Sequence, residues 1–97
     1  MATYLVFINW TEQGIRNVKD SPKRVDAARK AIKDLGGELK TFYMTQGNYD
    51  AVLIMEMPND EKLASFVLQI GTLGNVRTTT LRAYSEEEYR KIIGSLK

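Results

Sequence analysis

Ninety-seven residues make one domain with a core that needs no disulfide or metal staples. The composition, 43% apolar and 27% charged, is that of a globular chain, and a formal net charge of +2 is too small to point to nucleic acid. Having no cysteine excludes disulfides, thiolate metal sites and thiol chemistry; having no histidine removes the commonest general base and the commonest ligand of metals and haem.

The amino terminus carries no basic region before its first apolar segment, so no signal peptide is expected. Apolar runs stop at four or five residues, against the roughly 20 that cross a bilayer, so the expected location is cytoplasmic, with no membrane partner. Charge is unevenly spread: residues 16–33 hold seven basic side chains against two acidic ones. Such a stretch is ordinarily a solvated helix face, and its functional alternative is an anion drawn towards the helix start at Ser21.

In chain order, residues 3–10 (TYLVFINW) are β-branched and aromatic and predict a first strand. Residues 11–20 form a polar connection with a short helical turn at 15–18. Ser21 as N-cap and Pro22 at the first helical position predict a helix, along which Val25, Ala28, Ile32 and Leu35 recur at helical spacing until Gly36-Gly37 stops it. Residues 39–58 predict a hairpin around a two-residue II′ loop, Gly47-Asn48. Asn59 then offers an N-cap to a second helix with Leu63, Phe66, Val67, Ile70 and Leu73 along one stripe. Residues 75–83 predict an edge strand. Ser85 and Glu88 form a capping box that opens a last helix through Tyr89, Ile92, Ile93 and Leu96.

The order β-α-β-β-α-β plus a helix predicts a single α+β domain over residues 1–97. It is ferredoxin-like, an antiparallel four-stranded sheet with the first and third strands central. A sheet covered by helices on one face should alternate apolar and polar residues. Here both faces are apolar: Tyr4, Val6, Ile8 and Trp10 oppose Leu5, Phe7 and Asn9, and Ala51, Leu53, Met55 and Met57 oppose Val52 and Ile54. Leaving the second face wet would forgo several kcal/mol at about 25 cal/mol per Å². A second copy packed face to face, giving a dimeric α/β barrel, is the expected cover; the alternative is the last helix folded over that face in a monomer.

A two-residue loop would set Tyr43 opposite Val52 and Leu39 opposite Glu56. Phe42, Met44 and Tyr49 would then lie on the helix-packed side, and Leu39, Thr41, Tyr43, Thr45, Asp50 and Glu56 on the other. An apolar wall with a few hydroxyls and carboxylates suits a small-molecule pocket. The candidate ligand-binding residues are Asn9, Trp10, Tyr43, Thr45, Tyr49 and Asp50, with Asp50 and Tyr43 the candidates for any catalysis. Asp50 reads first as a turn residue accepting from hairpin N–H groups or Thr45, with a catalytic or ligand-anchoring carboxylate as its alternative, and Trp10 reads as core or interface. Asp50 and Glu56 stand about 20 Å apart along one strand, so no metal site within a subunit is expected, nor any cofactor. Ferredoxin-like sheets include RNA-recognition domains, but residues 49–56 lack their basic-Gly-aromatic pattern, and no nucleic-acid partner is expected.

Trp10-Thr11-x-x-Gly14, residues 19–24 (KDSPKR), Gly36-Gly37, Tyr43, Gly47-x-Tyr49-Asp50 and residues 74–78 (GNVRT) together resemble the GYD domain family across nearly the whole chain. The resemblance implies a place among the dimeric α/β barrels and carries no reaction with it. Residues 47–80 are more distantly similar to the amino-acid-binding domain of leucine-responsive and asparagine-type transcription regulators, which bind small effectors at subunit interfaces. Other members of the superfamily are cofactor-independent monooxygenases, which use Asn, Trp and Tyr side chains, and haem-degrading enzymes, whose ligating histidine is absent here. The expectation is a homo-oligomer that binds a small, partly apolar metabolite. The alternatives are a cofactor-independent isomerase or monooxygenase and a structural or regulatory oligomer, so catalysis is left open.

Overall fold

Alternation along the strands decides which side of the sheet becomes core. In a computed structural model describing residues 1–97, β1 (Ala2–Trp10) turns Tyr4, Val6 and Ile8 to one side, where they are 3%, 0% and 6% exposed. β3 (Ala51–Met57) does the same with Ala51, Leu53, Met55 and Met57, none above 3%. Between them run α1 (Glu12–Arg16), a 3-10 turn (Val18–Asp20), α2 (Ser21–Asp34) and β2 (Glu38–Met44). After β3 come α3 (Asp60–Thr72), β4 (Val76–Ala83) and α4 (Glu86–Gly94). The strands pair antiparallel in the order β2-β3-β1-β4, the predicted ferredoxin-like arrangement.

Several local signals act as expected. The Asn59 side chain caps α3 by accepting from the Lys62 N–H, and Ser85 and Glu88 form both bonds of the capping box on α4. At the end of α2 the Gly36 and Gly37 amides return to the carbonyls of Lys33 and Ile32, both at 2.9 Å, a Schellman closure. The start of α2 differs from expectation. The 3-10 turn runs straight into the helix, so Ser21 already has helical backbone angles and the preceding Asp20 makes no side-chain cap. The short helix also falls earlier than residues 15–18, because the Thr11 side chain caps it from the Gly14 N–H.

Two corrections bear on the sheet faces. A bulge at Lys40 lets Leu39 pair with Met55 and Glu38 with Glu56, so Leu39 joins the helix-packed side instead of facing Glu56. The hairpin loop is six residues, 45–50, closed by the Thr45 N–H to the Asp50 carbonyl at 2.9 Å. Tyr49 therefore leaves the ladder before it can join the core, and Met44, opposite Ala51, is 68% exposed and not packed under the helices. Tyr43 does face Val52.

All eleven buried apolar residues lie on the helix side of the sheet or on α2 and α3. The opposite side, with Leu5, Phe7, Val52, Ile54 and Leu81, has no helix over it and only the Tyr49 ring against Phe7, and Leu81 is 50% exposed. The sheet is open and unclosed, and the molecule is 18 Å through its thinnest axis against 52 Å along its longest. The last helix does not fold over this side: its Tyr89, Ile92 and Ile93 remain 57%, 45% and 48% exposed.

Candidate functional site

The Gly47-Tyr49-Asp50 loop is held against the end of β1 by four contacts, each from a different group. Gly47, at φ +111°, turns the chain where a side chain would strain it. The Tyr49 ring then lies over Phe7 on the open side, centroids 4.6 Å apart and tilted by 35°. The Asn9 side-chain amide donates to the Asn48 carbonyl at 2.9 Å. The Asp50 amide donates to the Ile8 carbonyl at 2.8 Å, and its carboxylate accepts the Trp10 N–H through Oδ2 at 2.9 Å. Asp50 thus supplies the acceptor that the interrupted ladder no longer gives Trp10. Thr45 closes the loop by donating Oγ1–H to the Tyr49 carbonyl at 2.7 Å.

Asn9, Thr45, Tyr49 and Asp50 therefore come together at one end of the open sheet face. Tyr43 shares that face from the edge strand β2 and is 59% exposed. Trp10 does not join them. Its side chain follows Tyr4, Val6 and Ile8 to the helix side, where it lines a cleft of about 90 Å³. No three carboxylates come close enough to hold a metal ion.

Next to this loop lies a second set of contacts that sequence reasoning did not resolve. Thr11 donates Oγ1–H to the Gly74 carbonyl at 2.6 Å, and its N–H donates to the Asn75 carbonyl at 3.1 Å. Gln13 donates to the Leu73 carbonyl and to Asn75 Oδ1. Arg24 reaches from α2 to the carbonyls of Gly14 and Asn17, at 3.1 and 3.2 Å. These residues tie α1, the start of β4 and α2 together, and the motif spacing Thr11-x-x-Gly14 with Gly74-Asn75 was the available signal. The Tyr49–Phe7 contact had none, since strand parity sends Tyr49 to the wrong side.

Shifted ionisation occurs at the other end of the sheet and on the surface. Burial, with a hydrogen bond to the Asp60 carboxylate, pushes the Tyr4 hydroxyl up to about 12. The Arg82 guanidinium stacks 4.4 Å above the Tyr84 ring and 5.7 Å from Tyr4. The Ser85 amide lowers Glu88, and Glu38 raises Lys40.

The family model described as GYD domain matches residues 4–93. The chain is 27% identical over 84 residues to the glutamine synthetase and cystathionine beta-lyase binding protein of Thermus thermophilus, covering 86% of this chain and 88% of that protein. Among solved structures, MtbAldR superposes with a TM-score of 0.69 at 15% identity over 87% of this chain. The leucine response regulatory protein of Mycobacterium tuberculosis gives 0.57 at 19% identity, again over 87%. The chain spans about half of each of those two proteins, 52% and 51%, and shares their fold.

Proposed function

The chain belongs to the GYD domain family, and from that premise we propose that it is a self-associating protein that binds a small, partly apolar metabolite between paired sheets. One observation carries the reading. Every buried apolar side chain lies on the helix side, while Leu5, Phe7, Val52, Ile54 and Leu81 spread across a face that no helix covers and that Tyr49 shields only at Phe7. Burying an apolar side chain fully is worth roughly 1.5–3 kcal/mol. Five that are now partly wet supply a driving force of several kcal/mol for a second copy.

When two such faces meet, Asn9, Tyr43, Thr45, Tyr49 and Asp50 lie at one end of the enclosed space. The Tyr43 hydroxyl and the Asp50 oxygen not taken by Trp10 are the groups available to a ligand, as hydrogen-bond donor and acceptor. Trp10 lies outside this site. The same two groups would serve an acid/base step if the ligand is a substrate. Asp50→Asn tests the role: it keeps an oxygen for the Trp10 N–H, so loss of ligand binding at an unchanged melting temperature supports a ligand-anchoring carboxylate. A lowered melting temperature with binding retained supports the loop clamp alone.

A second reading follows from the relative in Thermus thermophilus, whose name says that it binds two enzymes. For this chain the candidate surface is α4, with Tyr89, Ile92 and Ile93 exposed along one side. Co-sedimentation with purified glutamine synthetase, for the chain with and without Ile92→Asp, separates this reading from the first.

A further inference from the structure

We propose a second ligand site, on the helix side of the sheet, that takes a short branched aliphatic carboxylate. It does not depend on how the sheets pair. The cleft there, of about 90 Å³, has eleven lining residues, nine of them apolar, with Trp10, Phe42 and Val76 on the sheet and Val25, Ala28 and Ile70 on the helices. The two polar ones are Ser21 and Arg24.

The gap follows from side-chain size. Where α2 passes α3 it presents the small side chains of Ala27, Ala28 and Ala31, with Gln69, Ile70 and Leu73 on the other wall. An outer groove of about 350 Å³ adjoins the inner cleft, with Arg24, Ala28 and Ile70 in the wall of both. Native cores rarely leave space of this kind unfilled.

Volume and charge narrow the occupant. An engineered apolar cavity of roughly 150 Å³ binds benzene, so the smaller cleft suits a branched chain of about four or five carbons. Arg24 is half-buried in the wall and held in place by the carbonyls of Gly14 and Asn17, and it takes part in none of the seven ion pairs of the protein. A half-buried cation without a counter-ion beside an apolar cleft favours an anion. No acidic side chain lines the cleft to receive an ammonium group, so a simple carboxylic acid fits better than an amino acid.

Trp10 is the only tryptophan and it lines the cleft, so its emission reports occupancy. Titrating the full chain with 4-methylpentanoate should change that emission saturably. The uncharged 4-methylpentanol and the zwitterion leucine should each bind at least ~10-fold more weakly. Ala28→Leu fills the cleft and should weaken binding by at least ~10-fold while leaving the oligomeric mass unchanged. Methyl NMR of the unaltered protein gives the location without relying on that variant: the Ala28 and Ala51 methyls should shift, and those of Val52 and Ile54 on the open face should not. No saturable change, equal binding of the alcohol or leucine, undiminished binding by folded Ala28→Leu, or shifts at Val52 and Ile54 instead would each overturn the proposal.

Discussion

Asp50 closes a ladder that the loop interrupts, and its carboxylate is the only side-chain partner of the Trp10 N–H. Asp50→Ala should therefore leave that half-buried amide unpaired and cost about 1–3 kcal/mol, against about 1 kcal/mol or less for Asp50→Asn, measured by urea denaturation. Tyr4 makes a pH-dependent contribution at the other end of the sheet. Its hydroxyl ionises near 10.0 when unfolded and at about 12 when folded. The neutral form is thus favoured by folding: the contribution is complete below pH 10 and is lost as pH rises through about 12. Denaturation midpoints across that range should fall more steeply for the unaltered protein than for Tyr4→Phe. An accepting role for Asp50 was legible in the sequence but its partner was not: the carboxylate takes the Trp10 N–H of β1 and not a hairpin N–H. The placement of Tyr49 was not legible either, because parity applies only while a residue stays in the ladder, and Tyr49 leaves it to lie over Phe7.

Elements were legible wherever one local signal decides them. The alternation in β1 and β3, the Gly36-Gly37 stop and the two capped helices α3 and α4 depend on residues within a few positions of each other. Ladder register is not local. The bulge at Lys40 follows from how β2 fits its neighbour, and one extra residue moved Leu39 across the sheet. Glycines separate two kinds of constraint. A Cβ on Gly14 would overlap the Asn75 carbonyl, where main chain meets main chain. Gly14→Ala should cost about 3 kcal/mol and lower the melting temperature by roughly 12–24 °C. Gly47 has open space around it but a φ of +111°, so Gly47→Ala should cost only about 1–2 kcal/mol. Thermal unfolding of the two variants side by side checks the order.

For the whole molecule, the sequence implied a second covering layer because both faces of the central strands are apolar, and the chain supplies only one. Edge-to-edge growth is poorly served: β2 carries the bulge with Lys40, and β4 carries Arg77 and Arg82. The proposed face-to-face packing would bury Leu5, Phe7, Val52 and Ile54, and would also enclose the end of the sheet where Asp50 and Tyr43 stand. Phe7 sits near the middle of that face, paired with Val52 on one side and Thr79 on the other. Sedimentation equilibrium of the full chain at micromolar concentration tests this most directly. The account predicts a mass of at least twice the 11.0 kDa chain, falling towards 11.0 kDa on Phe7→Lys with the helical circular dichroism retained. A single-chain mass for the unaltered protein, or an unchanged assembly with Phe7→Lys, would contradict it.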